Sequence, residues 1–123
     1  MSLTYADVRA WGKEGRSKDF HLLVDTGSIF TWVDGDSLRA LGVEPLAEKR
    51  KKFRTIEGRE ILRDVGEATL ELAGEKATRI VVFAEKGDAP VLGVDSFEGL
   101  GFEVDPVGKN LKKPESFAAY SST

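Results

Sequence analysis

A chain of 123 residues, 41% of them apolar, has enough material for one compact domain and too little for two of ordinary size. Charged residues make up 32% of the chain, but the net charge of −3 excludes a general basic field that would attract nucleic acid. The lack of cysteine excludes disulfides and thiolate chemistry, and one histidine argues against a histidine metal site or catalytic triad. Carboxylate chemistry is therefore the main enzymatic option.

The apolar runs are short. The longest, such as residues 80–84, have the length of a strand and fall far below the roughly 20 residues that span a bilayer. The first residues lack the basic and apolar regions of a secretory signal. We expect no membrane partner and a cytoplasmic location, with no cofactor.

Apolar segments separated by turn residues predict a mainly β fold. Glu57-Gly58 is predicted to be a two-residue hairpin tip, and the alternation in residues 68–72 predicts a strand with one wet face. The predicted strands span residues 4–11, 19–24, 30–33, 53–56, 59–65, 67–72, 77–84, 91–94 and 102–104.

Two short segments predict helices. Residues 36–41 have Asp36 in position to be the N-cap and Gly42 as a left-handed stop. Residues 95–100 follow Asp95, a second candidate cap. We expect a single domain over residues 1–112 and a C-terminal tail over residues 113–123 with little fixed order.

The most informative segment is residues 22–28, which read Leu-Leu-Val-Asp-Thr-Gly-Ser. In this segment Asp25 directly follows an apolar strand and directly precedes a tight polar turn. The triplet Asp-Thr-Gly is weak evidence alone, because Asp and Gly are common turn residues. A partial echo, Val-Leu-Gly-Val-Asp-Ser, recurs at residues 91–96.

Three elements in order resemble a single-domain, retropepsin-like aspartic protease over nearly the whole chain. They are Leu-Val-Asp-Thr-Gly at residues 23–27, the hairpin around Glu57-Gly58, and Val-Leu-Gly at residues 91–93 ahead of a short helix. Residues 25–33 also resemble the segment after the first catalytic aspartate of two-lobed pepsins. The resemblance implies a closed acid-protease β-barrel with a central flap hairpin and one or two short helices.

The resemblance implies an endopeptidase that hydrolyses peptide bonds with water. Two facing carboxyls that share one proton can take a proton from water and give one to the carbonyl oxygen. The chain carries only one Asp-Thr-Gly or Asp-Ser-Gly triplet. Each subunit of a homodimer would therefore supply one Asp25 across a two-fold axis. The substrate would be an extended peptide or protein.

The resemblance also assigns supporting roles around Asp25. Thr26 would hydrogen-bond across the dimer axis, Gly27 would leave room for substrate backbone, and Ser28 would donate a hydrogen bond to the outer carboxylate oxygen. Three residues would pack behind this loop: Val91, Leu92 and Gly93.

The flap would close over the substrate and pair with its backbone through Ile56, Glu57 and Gly58. The charged tip departs from the family pattern, as does the stretch 112–120 with two lysines and a proline. These departures leave open an alternative: a non-catalytic retropepsin-fold module that binds peptides or scaffolds a partner.

Three other patterns have plainer interpretations. The basic run at residues 48–54 could bind nucleic acid, but it is short and lies in an acidic chain, so we expect a solvated strand and no nucleic-acid partner. Residues 34–36, Asp-Gly-Asp, indicate a turn into a helix and no metal site. Phe30 and Trp32 share a strand face, where they could line a substrate pocket or pack in the core.

Overall fold

The computed structural model describes residues 4–46, 48, 50–108 and 110–120, and it confirms a mainly β chain with short helices. The helices are α1 (Gly35–Ala40) and α2 (Val94–Gly99), and Lys13–Gly15 forms a 3₁₀ turn. The strands are β1 (Tyr5–Trp11), β2 (Ser17–Val24), β3 (Thr31–Asp34), β4 (Lys51–Arg54), β5 (Glu60–Arg63), β6 (Val65–Leu72), β7 (Glu75–Ala84), β8 (Val91–Leu92), β9 (Glu103–Val104) and β10 (Leu111–Lys112).

Six strands pair in a closed order, β1-β2-β8-β3-β7-β6, and β6 returns to β1. The β2–β8 and β3–β7 pairs are parallel, and the other pairs are antiparallel. We call these six strands the ring. Two small sheets lie outside it: the hairpin β4–β5 and the pair β9–β10.

The core lies inside the ring, where one face of each strand is apolar. In β6, Ala68, Leu70 and Leu72 are buried while Glu67 faces solvent, so the predicted alternation is confirmed. Phe83 on β7 packs in the same cluster. Fully burying an aliphatic or aromatic side chain stabilises a fold by about 1.5–3 kcal/mol, so this cluster holds the ring together.

Helix α1 begins one residue earlier than predicted, and Asp36 as its N-cap is wrong. Asp34 is the cap: its carboxylate accepts hydrogen bonds from the Ser37 N–H at 2.9 Å and the Ser37 hydroxyl at 2.8 Å. Strand β3 ends at Asp34, so that side chain reaches the first free N–H groups. The predicted stop is confirmed, because Gly42 has φ of +84°.

Helix α2 begins at Val94, and Gly93 is its N-cap. The prediction that Asp95 caps this helix is therefore wrong, since Asp95 lies in its first turn. Among the residues that the structure describes, no helix has the length and apolar character needed to span a membrane.

Candidate active site

Asp25 stands at the end of β2, in a turn held by backbone hydrogen bonds. Its N–H donates to the Leu92 carbonyl at 3.0 Å, and its carbonyl accepts from the Ser28 N–H at 3.2 Å. Its carboxylate Oδ1 accepts from the Gly27 N–H at 2.9 Å. This pattern, an Asp side chain that bonds backbone two residues on, closes the turn and leaves the carboxyl partly exposed.

Strand β8 fixes this turn from behind. It pairs in parallel with β2 at Leu23 with Val91 and Val24 with Leu92. Just beyond β8, the Val94 N–H donates to the Ser28 carbonyl at 2.9 Å. Main-chain bonds thus bracket the segment from Asp25 to Ser28 on both sides. We call residues 25–30 the active-site loop.

Gly93 lets the two segments approach closely. A Cβ at this position would lie 2.3 Å from the Phe30 carbonyl oxygen, a distance that no side chain tolerates. The Gly93 N–H donates to Thr31 Oγ1 at 3.0 Å, and the Thr31 hydroxyl donates to Ser96 Oγ at 2.6 Å. Because Thr31 and Ser96 are fully buried, this chain of hydrogen bonds is shielded from water.

Sequence reasoning missed the Thr31–Ser96 pair. Both types usually indicate turns or caps, and the two residues are 65 positions apart. The available signal is a hydroxyl residue in the otherwise apolar stretch from Phe30 to Val33.

The other predicted loop residues lie around Asp25 as follows. Thr26 and Gly27 are exposed, and a Cβ on Gly27 would lie 3.2 Å from Asp25 Oδ1. Ser28 differs from the expectation, because its hydroxyl donates to the Phe30 carbonyl at 2.7 Å instead of to the Asp25 carboxylate. Ser28 thus stabilises the loop's own backbone.

The hairpin β4–β5 is the predicted flap, and we call residues 51–63 the flap. Its tip is longer than predicted: the Thr55 N–H donates to the Arg59 carbonyl at 2.8 Å, which leaves a loop of three residues. The Gly58 N–H donates to the Thr55 carbonyl at 2.9 Å, and Gly58 has φ of +85°. A turn followed by a left-handed residue is the usual three-residue hairpin, so the two-residue prediction is wrong.

The flap tip carries one apolar and one charged side chain, Ile56 and Glu57, and Arg59 follows it. Ile56 is fully exposed. Hydrogen bonds from its own backbone N–H and from the Thr55 hydroxyl lower the pKa of Glu57, with the positive charge of Arg59 adding to the effect. Glu57 therefore stays ionised at neutral pH and turns back toward the hairpin.

A cleft of about 420 Å³ lies between the active-site loop and the flap. The loop contributes Asp25, Gly27 and Ser28, the flap contributes Thr55, Glu57, Arg59 and Ile61, and the remaining walls are Trp32, Gly87, Asp88, Ala89 and Val91. The structure thus brings five residues of the predicted site to one cleft: Asp25, Gly27, Ser28, Glu57 and Val91. Leu92 and Gly93 lie behind it, and Ile56 projects from the tip.

Aromatic contacts settle the two interpretations of Phe30 and Trp32. Phe53 in β4 of the flap packs edge-on against Trp32, with centroids 5.0 Å apart, and against Phe30 at 6.2 Å. Trp32 also lines the cleft, so it serves both packing and the pocket wall. Phe30 supports the flap from below.

The basic run enters the flap as β4, and its side chains are mostly exposed. Arg50 pairs with Glu85 and lies 3.6 Å from Asp64. Lys49 lies outside the described residues. Among the described residues of this run, Arg50 is therefore paired with neighbouring carboxylates.

The C-terminal segment lies beside Thr26. After β10, Pro114, Ser116, Phe117 and Ala118 bound a cavity of about 540 Å³ together with Thr26, Val94, Phe97, Glu98, Phe102, Glu103 and Val104. Phe117 is mostly exposed on its outer side. The last three residues of the predicted tail, 121–123, lie outside the described residues.

Comparisons with known proteins give a distant likeness to solved structures and none to a family model or a curated protein. Among solved structures, a retropepsin-like aspartic protease from Rickettsia conorii is 18% identical, with 85% of this chain and 89% of that chain covered and a TM-score of 0.44.

Proposed function

We propose that the chain has the retropepsin-like fold and is a homodimeric aspartic endopeptidase, in which a pair of Asp25 carboxyls, one from each subunit, activates water. The observation that carries this proposal is the position of Asp25. It lies in a cleft beneath a hairpin, on a loop that hydrogen bonds hold from two sides.

The other carboxylates of the cleft support a partner from a second copy. Asp88 is engaged by the guanidinium of Arg63 through two hydrogen bonds. The carboxylate of Glu57 is occupied by hydrogen bonds from its own backbone N–H and from the Thr55 hydroxyl. Neither is suited to share a proton with Asp25, whereas a symmetry-related Asp25 carries the same loop geometry.

The proposed chemistry needs no covalent intermediate. One Asp25 carboxylate takes a proton from water, and the water oxygen bonds to the peptide carbonyl carbon. The other, protonated Asp25 donates its proton to the carbonyl oxygen. The carbon–nitrogen bond then breaks as the nitrogen takes the proton held by the first Asp25 and leaves as an amine. One hydroxyl of the diol returns its proton to the second Asp25 as the carbonyl reforms, which gives the carboxylic acid product and restores the shared proton. The flap would hold an extended substrate by adding strand hydrogen bonds.

Substitution of the catalytic residue tests the proposal. Asp25→Asn should reduce cleavage of a mixed peptide library by at least about 10³-fold, because an amide cannot exchange the proton. Its circular dichroism and sedimentation should match the wild type. Asp36→Asn, in the first turn of α1, is the matched control and should cleave normally. An Asp25→Asn protein that cleaves as fast as the control would rule out this mechanism.

One observation favours the second candidate, a peptide-binding or scaffolding module that does not cleave. The C-terminal segment shares a cavity with Thr26, on the side where the proposal requires the partner's loop. If that segment keeps a second copy away, the carboxyl pair does not form. A chain that sediments as a monomer at micromolar concentration and binds extended peptides without cleaving them would favour the module.

A further inference from the structure

The chain runs from the flap into the ring through Asp64, between β5 and β6, and most other described contacts between the flap and the ring are made by side chains. Strands β4 and β5 pair with each other in a sheet separate from the ring. The main-chain link at its base is the Phe83 N–H, which donates to the Asp64 carbonyl at 2.9 Å just after β5 ends. Above that point, the height of the flap over the cleft depends on side-chain contacts.

The strongest of these contacts joins Arg63, the last residue of β5, to Asp88 in the cleft wall. Arg63 Nε lies 2.6 Å from Asp88 Oδ2 and Nη2 lies 2.8 Å from Oδ1, which is a bidentate pair. A third guanidinium bond runs from Nη1 to the Leu62 carbonyl at 2.8 Å. The planar fork of arginine therefore fixes the orientation of the strand as well as its distance from the wall.

Asp88 is itself fixed to the wall. Its Oδ2 accepts from the Glu85 N–H at 2.7 Å, and its own N–H donates to the Glu85 carbonyl at 2.9 Å. The same turn provides Gly87 and Ala89 to the cleft and leads into Val91, which pairs with β2 behind Asp25. One end of the ion pair thus lies on the flap and the other on the element that supports the active-site loop.

Burial separates this pair from the other ion pairs of the described residues. The Arg63 and Asp88 side chains are 14% and 12% exposed, whereas Arg9 and Asp19, the comparable bidentate pair on β1 and β2, are 46% and 66% exposed. Solvent screens an exposed pair and leaves it little net effect. A nearly buried pair instead becomes costly to break, because the remaining charge loses its partner.

We propose that Arg63 and Asp88 are a positioning pair that sets the height of the flap over the cleft and so determines how tightly an extended peptide is held above Asp25. The consequence for catalysis rests on the proposed function. The effect on the flap itself does not.

The experiment measures flap position without relying on activity. Trp11→Phe leaves Trp32 as the sole tryptophan, and Trp32 packs against Phe53 of the flap. In that background we compare Arg63→Lys and Arg63→Met with Arg9→Lys as the matched control. The readouts are acrylamide quenching of Trp32 and hydrogen exchange of residues 51–63.

Arg63→Lys keeps the charge but loses the fork, and Arg63→Met loses both. We expect both to increase quenching of Trp32, and Arg63→Met to accelerate exchange of the flap amides by about tenfold or more. Ring amides and the Arg9→Lys protein should change less than about twofold. Arg63→Lys keeps Asp88 paired and preserves a readout if Arg63→Met fails to fold.

Asp88→Asn should reproduce the Arg63→Met effect, because each substitution leaves one charge of the pair without its partner. The Arg63→Met, Asp88→Asn double variant should be milder than the sum of the two single variants, because both remove one interaction. With a peptide substrate, KM should rise more than kcat falls, since the flap holds substrate before and during reaction. A wild-type protein that cleaves nothing would remove the proposed function and leave the flap comparison intact. Quenching and exchange equal to those of Arg9→Lys in both Arg63 variants would overturn the positioning role.

Discussion

The active-site loop and the flap face each other across one cleft, but they are held in different ways. Around Asp25, backbone N–H and carbonyl groups and two buried hydroxyls fix the loop against β8. The flap instead depends on an aromatic contact and an ion pair, and its tip is exposed. Main-chain bonding makes the position of the carboxyl largely independent of surface residues, whereas the position of the flap depends on which side chains it carries.

Substitution of one glycine behind the active-site loop and one in the flap tests this difference. The first substitution has the largest expected effect on stability. Gly93→Ala should lower the free energy of unfolding by more than about 3 kcal/mol, because the new Cβ would meet the backbone of Phe30 at 2.3 Å and backbone cannot easily yield. Urea denaturation followed by circular dichroism measures this loss.

Gly58→Ala in the flap tip is the matched variant. A Cβ on Gly58 would have no neighbour within 4 Å. The substitution should therefore lower the free energy of unfolding only through the left-handed backbone, by about 1–2 kcal/mol, and should disturb only the hairpin. If the two substitutions lowered the unfolding free energy equally, the loop would not be the more constrained region.

The buried hydroxyl pair gives the next largest effect. Thr31→Val should destabilise the chain by about 1–3 kcal/mol, since the Gly93 N–H and the Ser96 hydroxyl would lose their partner in a buried site. Thr69→Val on β6 is the control, because its 3.3 Å bond to Thr78 is exposed. Equal unfolding free energies for the two variants would show that the buried pair does not hold the loop.

The smallest effect comes from a contact that belongs to neither region. Asp34→Ala removes the cap of α1 and should cost about 1 kcal/mol at neutral pH. Hydrogen bonds from the Ser37 hydroxyl and N–H hold the pKa of Asp34 below its usual 3.8. The stabilisation is therefore fully present above about pH 4 and is lost as the pH falls through the folded pKa.

Unfolding of wild type and Asp34→Ala between pH 7 and pH 2 checks this dependence. The difference between the two proteins should shrink on acidification. A difference that grows toward low pH would contradict the cap's role.

Local patterns in the sequence predicted much of the ring. The alternation in β6 and the left-handed Gly42 depend on nearby residues, and both predictions are confirmed. The predicted N-cap of α1 was wrong because Asp34 and Asp36 both suit an N-cap, and the choice between them depends on where β3 ends. The prediction of a two-residue flap tip was wrong because the residues that close the tip, Thr55 and Arg59, are not typical turn residues.

Long-range contacts account for the rest. The Thr31–Ser96 bond joins residues 65 apart, and the Arg63–Asp88 pair joins residues 25 apart. Neither contact produces a periodic pattern in the sequence, because each depends on which strands become neighbours in the ring. Asp25 itself was predicted from a motif, whereas the contacts that hold it required the folded chain.

The most direct test of the central claim mixes wild-type and Asp25→Asn chains at constant total concentration, after exchange of subunits. If each site needs two Asp25 carboxyls, activity in an equal mixture falls to about a quarter of the wild-type value, since only that share of dimers is wholly wild type. A value of about half would mean that each chain acts alone, and would contradict an active site shared by two subunits.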